Sequence, residues 1–255
     1  VLLIGDSISM GYTLPVRKML AGKANVHRIP VNGGDTARGL ENLDEWLGDK
    51  PWDVIHFNWG LHDVKRQKNG KRDVRGPLVR TPEDYAKNLD ELVRRLKKTD
   101  AVLIWAATTP VPEGAAGRMK GDEVALNREA AKIMKKHDVK TNDLYGYILP
   151  QLKKTQRPRD VHFTNKGSEI LAKKVVEEIT AALGRAKSLG YRVRGAYANC
   201  PAWEGDQVVE ARYWIGSDDP MGEAWTGDLL WVDAREHALA PSRVGPVAWS
   251  EGMRM

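Results

Sequence analysis

The sequence predicts an α/β fold over residues 1–186: a three-layer α/β/α sandwich, with helices on both faces of a short parallel sheet. A C-terminal appendage over residues 187–255 is expected to be separate from it. Three observations carry this. Short apolar runs alternate with longer amphipathic stretches from residue 1 to about residue 183. Such alternation builds a parallel sheet covered on both sides and joined by right-handed crossovers. The first run, Val1–Ile4, is broken at once by Gly5-Asp6-Ser7, which puts a serine at the carboxyl end of a buried strand. Composition then changes after residue 186: residues 187–255 hold five of the nine tryptophans and a single lysine, Lys187.

The elements follow in order. Val1–Ile4 is the first strand, and residues 11–21 form a helix. Val26–Ile29 is a second strand, followed by a helix over 37–47. Val54–Phe57 is the third strand. Thr81 then N-caps the clearest helix, with Pro82 at its first position and Glu83 and Asp84 facing the positive end of the dipole. Tyr85, Leu89, Leu92 and Leu96 give it an apolar stripe at helical spacing. Ala101–Ala107 is a strand. Helices are expected over 122–136, capped by Asp122, over 143–154, and over 165–183, the last stopped by Gly184. In the tail, Val208–Ile215 and Leu229–Val232 have strand character.

Composition excludes several functions. One cysteine, Cys200, leaves no internal disulfide framework. No run of 18 apolar residues occurs, so no membrane-spanning helix is expected. The six histidines lack the spacing of a His-Glu-x-x-His pair, and Gly33-Gly34-Asp35-Thr36 lacks the lysine of a P-loop, so neither a metal nor a cofactor is expected. The net charge is +6. Residues 65–80 alone hold seven Lys or Arg and one acid, Asp73. They contain no aromatic residue, so nucleic acid is not the expected partner. The stretch reads as a solvated loop, or as an insertion flanking a site mouth that draws in acidic substrates. No signal peptide is visible; a secreted or periplasmic location is expected only if one precedes residue 1. No motif speaks to the oligomeric state.

Four pieces carry the chemistry. They are Gly5-Asp6-Ser7, Asn32-Gly33-Gly34-Asp35-Thr36, Gly60-Leu61-His62-Asp63, and Asp160-Val161-His162-Phe163-Thr164. Each falls at a strand end or a helix start. In this order and at these distances they resemble the SGNH (GDSL-type) hydrolase family, over roughly residues 1–185, and most nearly its bacterial carbohydrate acetylesterase-like members. The resemblance implies a flavodoxin-like sandwich. It also implies a serine esterase that removes small acyl groups, acetyl above all, from a carbohydrate. A general short-chain esterase, lysophospholipase or thioesterase is the alternative, and a non-catalytic glycan-binding module a third reading.

A serine hydroxyl needs a base to take its proton and an acid to orient that base. Ser7 is the candidate nucleophile, His162 the base and Asp160 the acid. The family places its acid three residues before the histidine, where this chain has Arg159; Asp143 is a remote alternative orienter. The family's oxyanion donors map onto the backbone amides of Ser7 and Gly34, and onto a third position where an asparagine is usual and this chain has His62. A neutral imidazole donates one hydrogen bond, so His62 can substitute, subject to its tautomer. Asn58 is a less suitable stand-in. Asp6 and Asp63 are expected to brace loops. Trp59 and Tyr12 read either as sugar-stacking residues or as core.

Overall fold

The fold is that of a computed structural model, which describes residues 1–49, 51–188, 202–204 and 207–210. The chain divides into two compact units, residues 1–189 and 190–255.

The first unit contains β1 (Leu2–Ile4), α1 (Ser7–Met19), β2 (His27–Arg28), α2 (Thr36–Leu47), β3 (Val54–Phe57), β4 (Gln67–Lys68), β5 (Lys71–Arg72) and α3 (Pro82–Lys97). It continues through β6 (Val102–Ala106), α4 (Asp122–His137), β7 (Lys140–Asn142), α5 (Leu144–Ile148), a 3-10 turn at Leu149–Gln151, α6 (Leu152–Thr155) and α7 (Asn165–Ser188). Five strands form one sheet in the order β2-β1-β3-β6-β7. Every neighbouring pair is parallel, in registers such as Leu2↔His27, Leu2↔Ile55 and Val54↔Val102. Strand order reverses between β1 and β3, and open α/β sheets bind ligands in the crevice outside such a switch point. Ser7 lies just beyond β1, and Gly60–Asp63 just beyond β3.

The apolar runs form strands because they are buried on both faces. Leu3, Ile4, Val54, Ile55 and Phe57 have no exposed surface. Each such side chain contributes about 1.5–3 kcal/mol relative to exposure. Helix α3 buries Tyr85, Leu89, Leu92, Val93 and Leu96, and its cap is the expected one: the Asp84 amide donates to Thr81 Oγ1 at 3.1 Å. Such a cap contributes about 1 kcal/mol.

Several elements differ from expectation. Helix α1 starts at Ser7, four residues before Gly11, because Asp6 caps it, its Oδ1 accepting from the Ile8 amide at 2.9 Å. Gly11 and Pro15 sit inside it; a methyl group added at Gly11 would meet Ser168 Oγ of α7 at 2.9 Å. Asp122 is the first residue of α4 and not its cap; its carboxylate instead pairs with Arg66 at 2.8 Å. Helix α7 runs past Gly184 to Ser188, a glycine costing a helix interior only about 1 kcal/mol. Edge strand β7 has no counterpart among the expected strands, since Lys-Thr-Asn carries no apolar signal. Residues 65–80 are a stitched ribbon. Asn69 and Gly70, with φ of 52° and 73°, make the tight turn between β4 and β5.

In the second unit, β8 (Ala202–Glu204) and β9 (Gln207–Glu210) pair antiparallel. The expected strand at Val208–Ile215 overlaps β9 and otherwise lies outside the described residues, as does Leu229–Val232. No helix among the described residues is long and apolar enough to cross a membrane.

Candidate active site

Three loops meet at the carboxyl ends of the central strands, and backbone geometry ties them together. The Gly33 amide donates to the Gly5 carbonyl at 3.0 Å. A methyl group at Gly33 would sit 2.9 Å from that same oxygen, so the close approach requires glycine. Asp63 Oδ1 accepts from the Thr36 amide at 3.0 Å and the Thr36 hydroxyl at 2.6 Å, joining the third loop to the second. Burial, only partly offset by these two bonds, pushes the Asp63 carboxyl up to about 7. Trp59 Nε1 donates to the Gly33 carbonyl at 3.3 Å, and the Tyr85 hydroxyl to the Trp59 carbonyl at 3.1 Å. Trp59 and Tyr12 are therefore core: they expose 0% and 2% of their surface, and neither can stack on a ligand.

Ser7 opens α1, and its amide has no intrahelical acceptor. Its hydroxyl lies 2.8 Å from His162 Nε2. His162 Nδ1 lies 2.7 Å from Asp160 Oδ1, which also accepts the His162 backbone amide at 3.2 Å. A carboxylate only accepts, so Nδ1 carries the ring proton and Nε2 is left to accept from Ser7. The one-residue shift of the acid is absorbed by Arg159, whose φ of 56° turns the chain sharply before Asp160. Burial raises the Asp160 carboxyl, but its two hydrogen bonds from His162 outweigh that and hold it below the usual range. Asp143 is not an orienter: it caps α5, accepting from the Gly146 amide at 2.9 Å.

The expected oxyanion donors are placed as follows. Gly34 takes a left-handed conformation, φ 66°, and its amide donates to its own loop's Asn32 Oδ1 at 2.9 Å. This Asx turn is legible in Asn32-Gly33-Gly34. His62 Nδ1 lies 2.8 Å from Lys65 Nζ. An ammonium has no lone pair, so Nδ1 must accept and the ring proton sits on Nε2. Burial first, then the charges of Lys65 and Arg118, lower the His62 pKa to about 3, so the ring is neutral. Asn58 is committed elsewhere, donating to the Ala106 carbonyl at 2.7 Å and to Thr108 Oγ1 at 3.2 Å.

Asp6 Oδ2 is buried without a protein partner, and burial raises the Asp6 carboxyl despite the Ile8 amide and the Arg118 charge. Ser7 and His162 open onto a cleft of about 450 Å³ walled by Ile8, Leu14, Pro15 and Phe163, with Arg157 and Glu169 also lining it. Lys65 and Arg118 escape sequence reasoning. Arg118 Nε donates to the Leu61 carbonyl at 2.7 Å, which places it against the third loop, yet nothing in its neighbourhood in sequence marks it.

Comparison with known proteins agrees with the fold. The model of the GDSL-like lipase/acylhydrolase family matches residues 3–170. No curated protein matches. Among solved structures, the acetyl xylan esterase AlAXEase superposes with a TM-score of 0.58 at 16% identity, covering 70% of this chain and 98% of that one. A lipase/acylhydrolase from Enterococcus faecalis gives 0.56 at 21% identity, covering 71% and 94%. An acetylxylan esterase from Geobacillus stearothermophilus gives 0.55 at 18% identity, covering 70% and 92%. At these identities the likeness is one of fold.

Proposed function

The chain belongs to the GDSL-like lipase/acylhydrolase family and is a carboxylic ester hydrolase, and from that premise we propose that Ser7, His162 and Asp160 carry the reaction and that its substrate is an acetylated carbohydrate. The observation that supports the catalytic assignment most is the unbroken chain Ser7 Oγ, His162 Nε2, His162 Nδ1, Asp160 Oδ1, with spacings of 2.8 and 2.7 Å.

In this mechanism the Ser7 oxygen attacks the ester carbonyl carbon as His162 Nε2 takes its proton. Negative charge moves onto the carbonyl oxygen. The Ser7 amide and the His62 Nε2–H donate to that oxygen, and the Gly34 amide joins when Asn32 Oδ1 yields it. Preorganised donors of this kind are usually the largest single catalytic contribution. The imidazolium, stabilised by Asp160, returns the proton to the leaving alkoxide, and the alcohol departs. Water then attacks the acyl-serine with His162 again as base, releasing the carboxylic acid and restoring the serine. A neutral His62 suits this step, because it donates one bond without competing with His162 for the proton.

The acetyl preference is supported by the modest cleft and by the acetyl xylan esterases among proteins of the same fold. It is tested with 4-nitrophenyl esters of increasing chain length and with acetylated xylo-oligosaccharides. The expected order is acetyl above butyryl above octanoyl in kcat/KM, with acetate released from the oligosaccharide. A kcat/KM that rises with chain length contradicts it and favours a lysophospholipase or thioesterase.

A further inference from the structure

Arg118 is a buried cation with no acid at salt-bridge distance among the described residues. It is 7% exposed. Among the described residues its side chain makes one hydrogen bond, from Nε to the Leu61 carbonyl, and no carboxylate reaches salt-bridge distance. Nη1 and Nη2 have no acceptor among the described residues, and neither is sealed from solvent. A guanidinium taken out of water without a counter-ion is strongly unfavourable, and its planar fork is shaped for a carboxylate. Two further cations stand close by. Lys65 rests on the neutral ring of His62, at Nδ1, rather than on an acid. Arg72 lies over Gly117, the residue before Arg118, so that a methyl added there would sit 2.8 Å from Arg72 Cβ. Burial first, then the charges of Arg118 and Arg72, lower Lys65 to about 8, and burial followed by the Arg72 charge lowers Arg118. The acids whose fields reach Arg118 are Asp6, whose Oδ1 takes the Ile8 amide, and Asp160, which holds His162; neither lies at salt-bridge distance from the guanidinium.

We propose that Arg118, flanked by Lys65 and Arg72, forms an anion subsite beside the reactive serine, and that the ester this enzyme cleaves carries a carboxylate, either in its acyl part or on its sugar. The proposal rests on the serine esterase reading and narrows its substrate class. The guanidinium fork would hold the carboxylate by paired N–H bonds, and Lys65 and Arg72 would add a field that draws the substrate in.

The test compares matched esters. One pair, 4-nitrophenyl acetate and the 4-nitrophenyl monoester of succinate, places the charge in the acyl part. The other, an O-acetylated neutral sugar and the O-acetylated uronic acid, places it on the alcohol. The wild-type enzyme is expected to prefer the charged member of one pair at least tenfold in kcat/KM, and that pair identifies the source of the carboxylate. Arg118→Gln should reduce the ratio to within threefold of unity, and Arg118→Lys should keep part of it. Arg72 is exposed, so Arg72→Ala serves if the buried variants fail to fold; it should lower the ratio about twofold, and added salt should do the same. No preference in the wild-type enzyme, or a ratio unchanged by Arg118→Gln and Arg72→Ala, overturns the proposal. Calorimetric titration of succinate and of a free uronate into Ser7→Ala keeps the two readings apart, because it needs no hydrolysis. Arg118-dependent binding there supports the subsite even if the serine mechanism fails. Absence of binding by either anion overturns the subsite even if the serine mechanism holds.

Discussion

Lys65 donates to His62 Nδ1 at 2.8 Å, and this one-way bond decides which nitrogen of His62 carries the ring proton and, in the proposed mechanism, meets the oxyanion. While Lys65 is charged it cannot accept, so the proton stays on Nε2. Once it loses its proton, which its lowered pKa sets at about 8, it gains a lone pair and the ring is free to invert its tautomer. Activity should therefore fall on the alkaline side near pH 8. Lys65→Met should lower kcat more than it changes KM and remove that limb. An alkaline limb that is identical in Lys65→Met would show that Lys65 does not set the tautomer.

His62→Ala should reduce turnover by about 10²–10³. His62→Asn should recover part of the loss, since an amide donates without any tautomer to choose. Lys65→Met should then have little added effect in the His62→Asn background, because the two residues act through one bond. A loss below threefold in His62→Ala would reduce His62 to a packing residue.

The same residue predicts a pH dependence of stability. Folded His62 resists protonation down to about 3, against an ordinary value of 6.5. Between those limits the unfolded chain binds more protons, so stability falls as pH falls from 6.5. Urea melts at pH 7 and pH 5 should show a smaller difference for His62→Asn than for the wild-type protein. An equal or larger difference would place the titration elsewhere.

Asp160→Asn should cut turnover at least a hundredfold with little change in melting temperature, because in the proposed mechanism its work is to hold the productive tautomer of His162. Asp143→Asn is the control. It touches only the first turn of α5 and should leave turnover intact. The reverse pattern would mean that the wrong acid has been assigned.

Gly33→Ala should destabilise the protein by about 1–3 kcal/mol and lower kcat, since the added methyl group meets the Gly5 carbonyl at 2.9 Å and prises the second loop from the first. Thermal melts and ester hydrolysis together check this. A variant unchanged in both would show that the loops adjust without cost.

What the sequence makes legible is whatever depends on neighbours in the chain. Val54–Phe57 is apolar throughout, and Thr81-Pro82-Glu83-Asp84 is a complete helix start, so β3 and α3 can be read directly. Ser7, His162 and Asp160 are legible because their motifs sit at strand ends and helix starts. The start of α1 is obscured by Gly11 and Pro15. Edge strand β7 is three residues of mainly polar chain, held by pairing to β6 and by no pattern of its own. The Asn69-Gly70 turn joins short strands of exposed polar residues that carry no apolar alternation. Lys65 on His62, and Arg118 on the Leu61 carbonyl, follow from how separate loops approach in three dimensions. No local pattern encodes that approach.

The nucleophilic role proposed for Ser7 is measured directly by ester hydrolysis with Ser7→Ala beside the wild-type enzyme, with circular dichroism to establish that both are folded. The expected loss in turnover is about 10⁴–10⁶, with no acylated peptide containing residue 7 recovered from the variant after a rapid acid quench. A folded Ser7→Ala protein that retains a tenth of wild-type activity would contradict the serine mechanism and return the hydrogen-bonded chain Ser7, His162, Asp160 to a structural role.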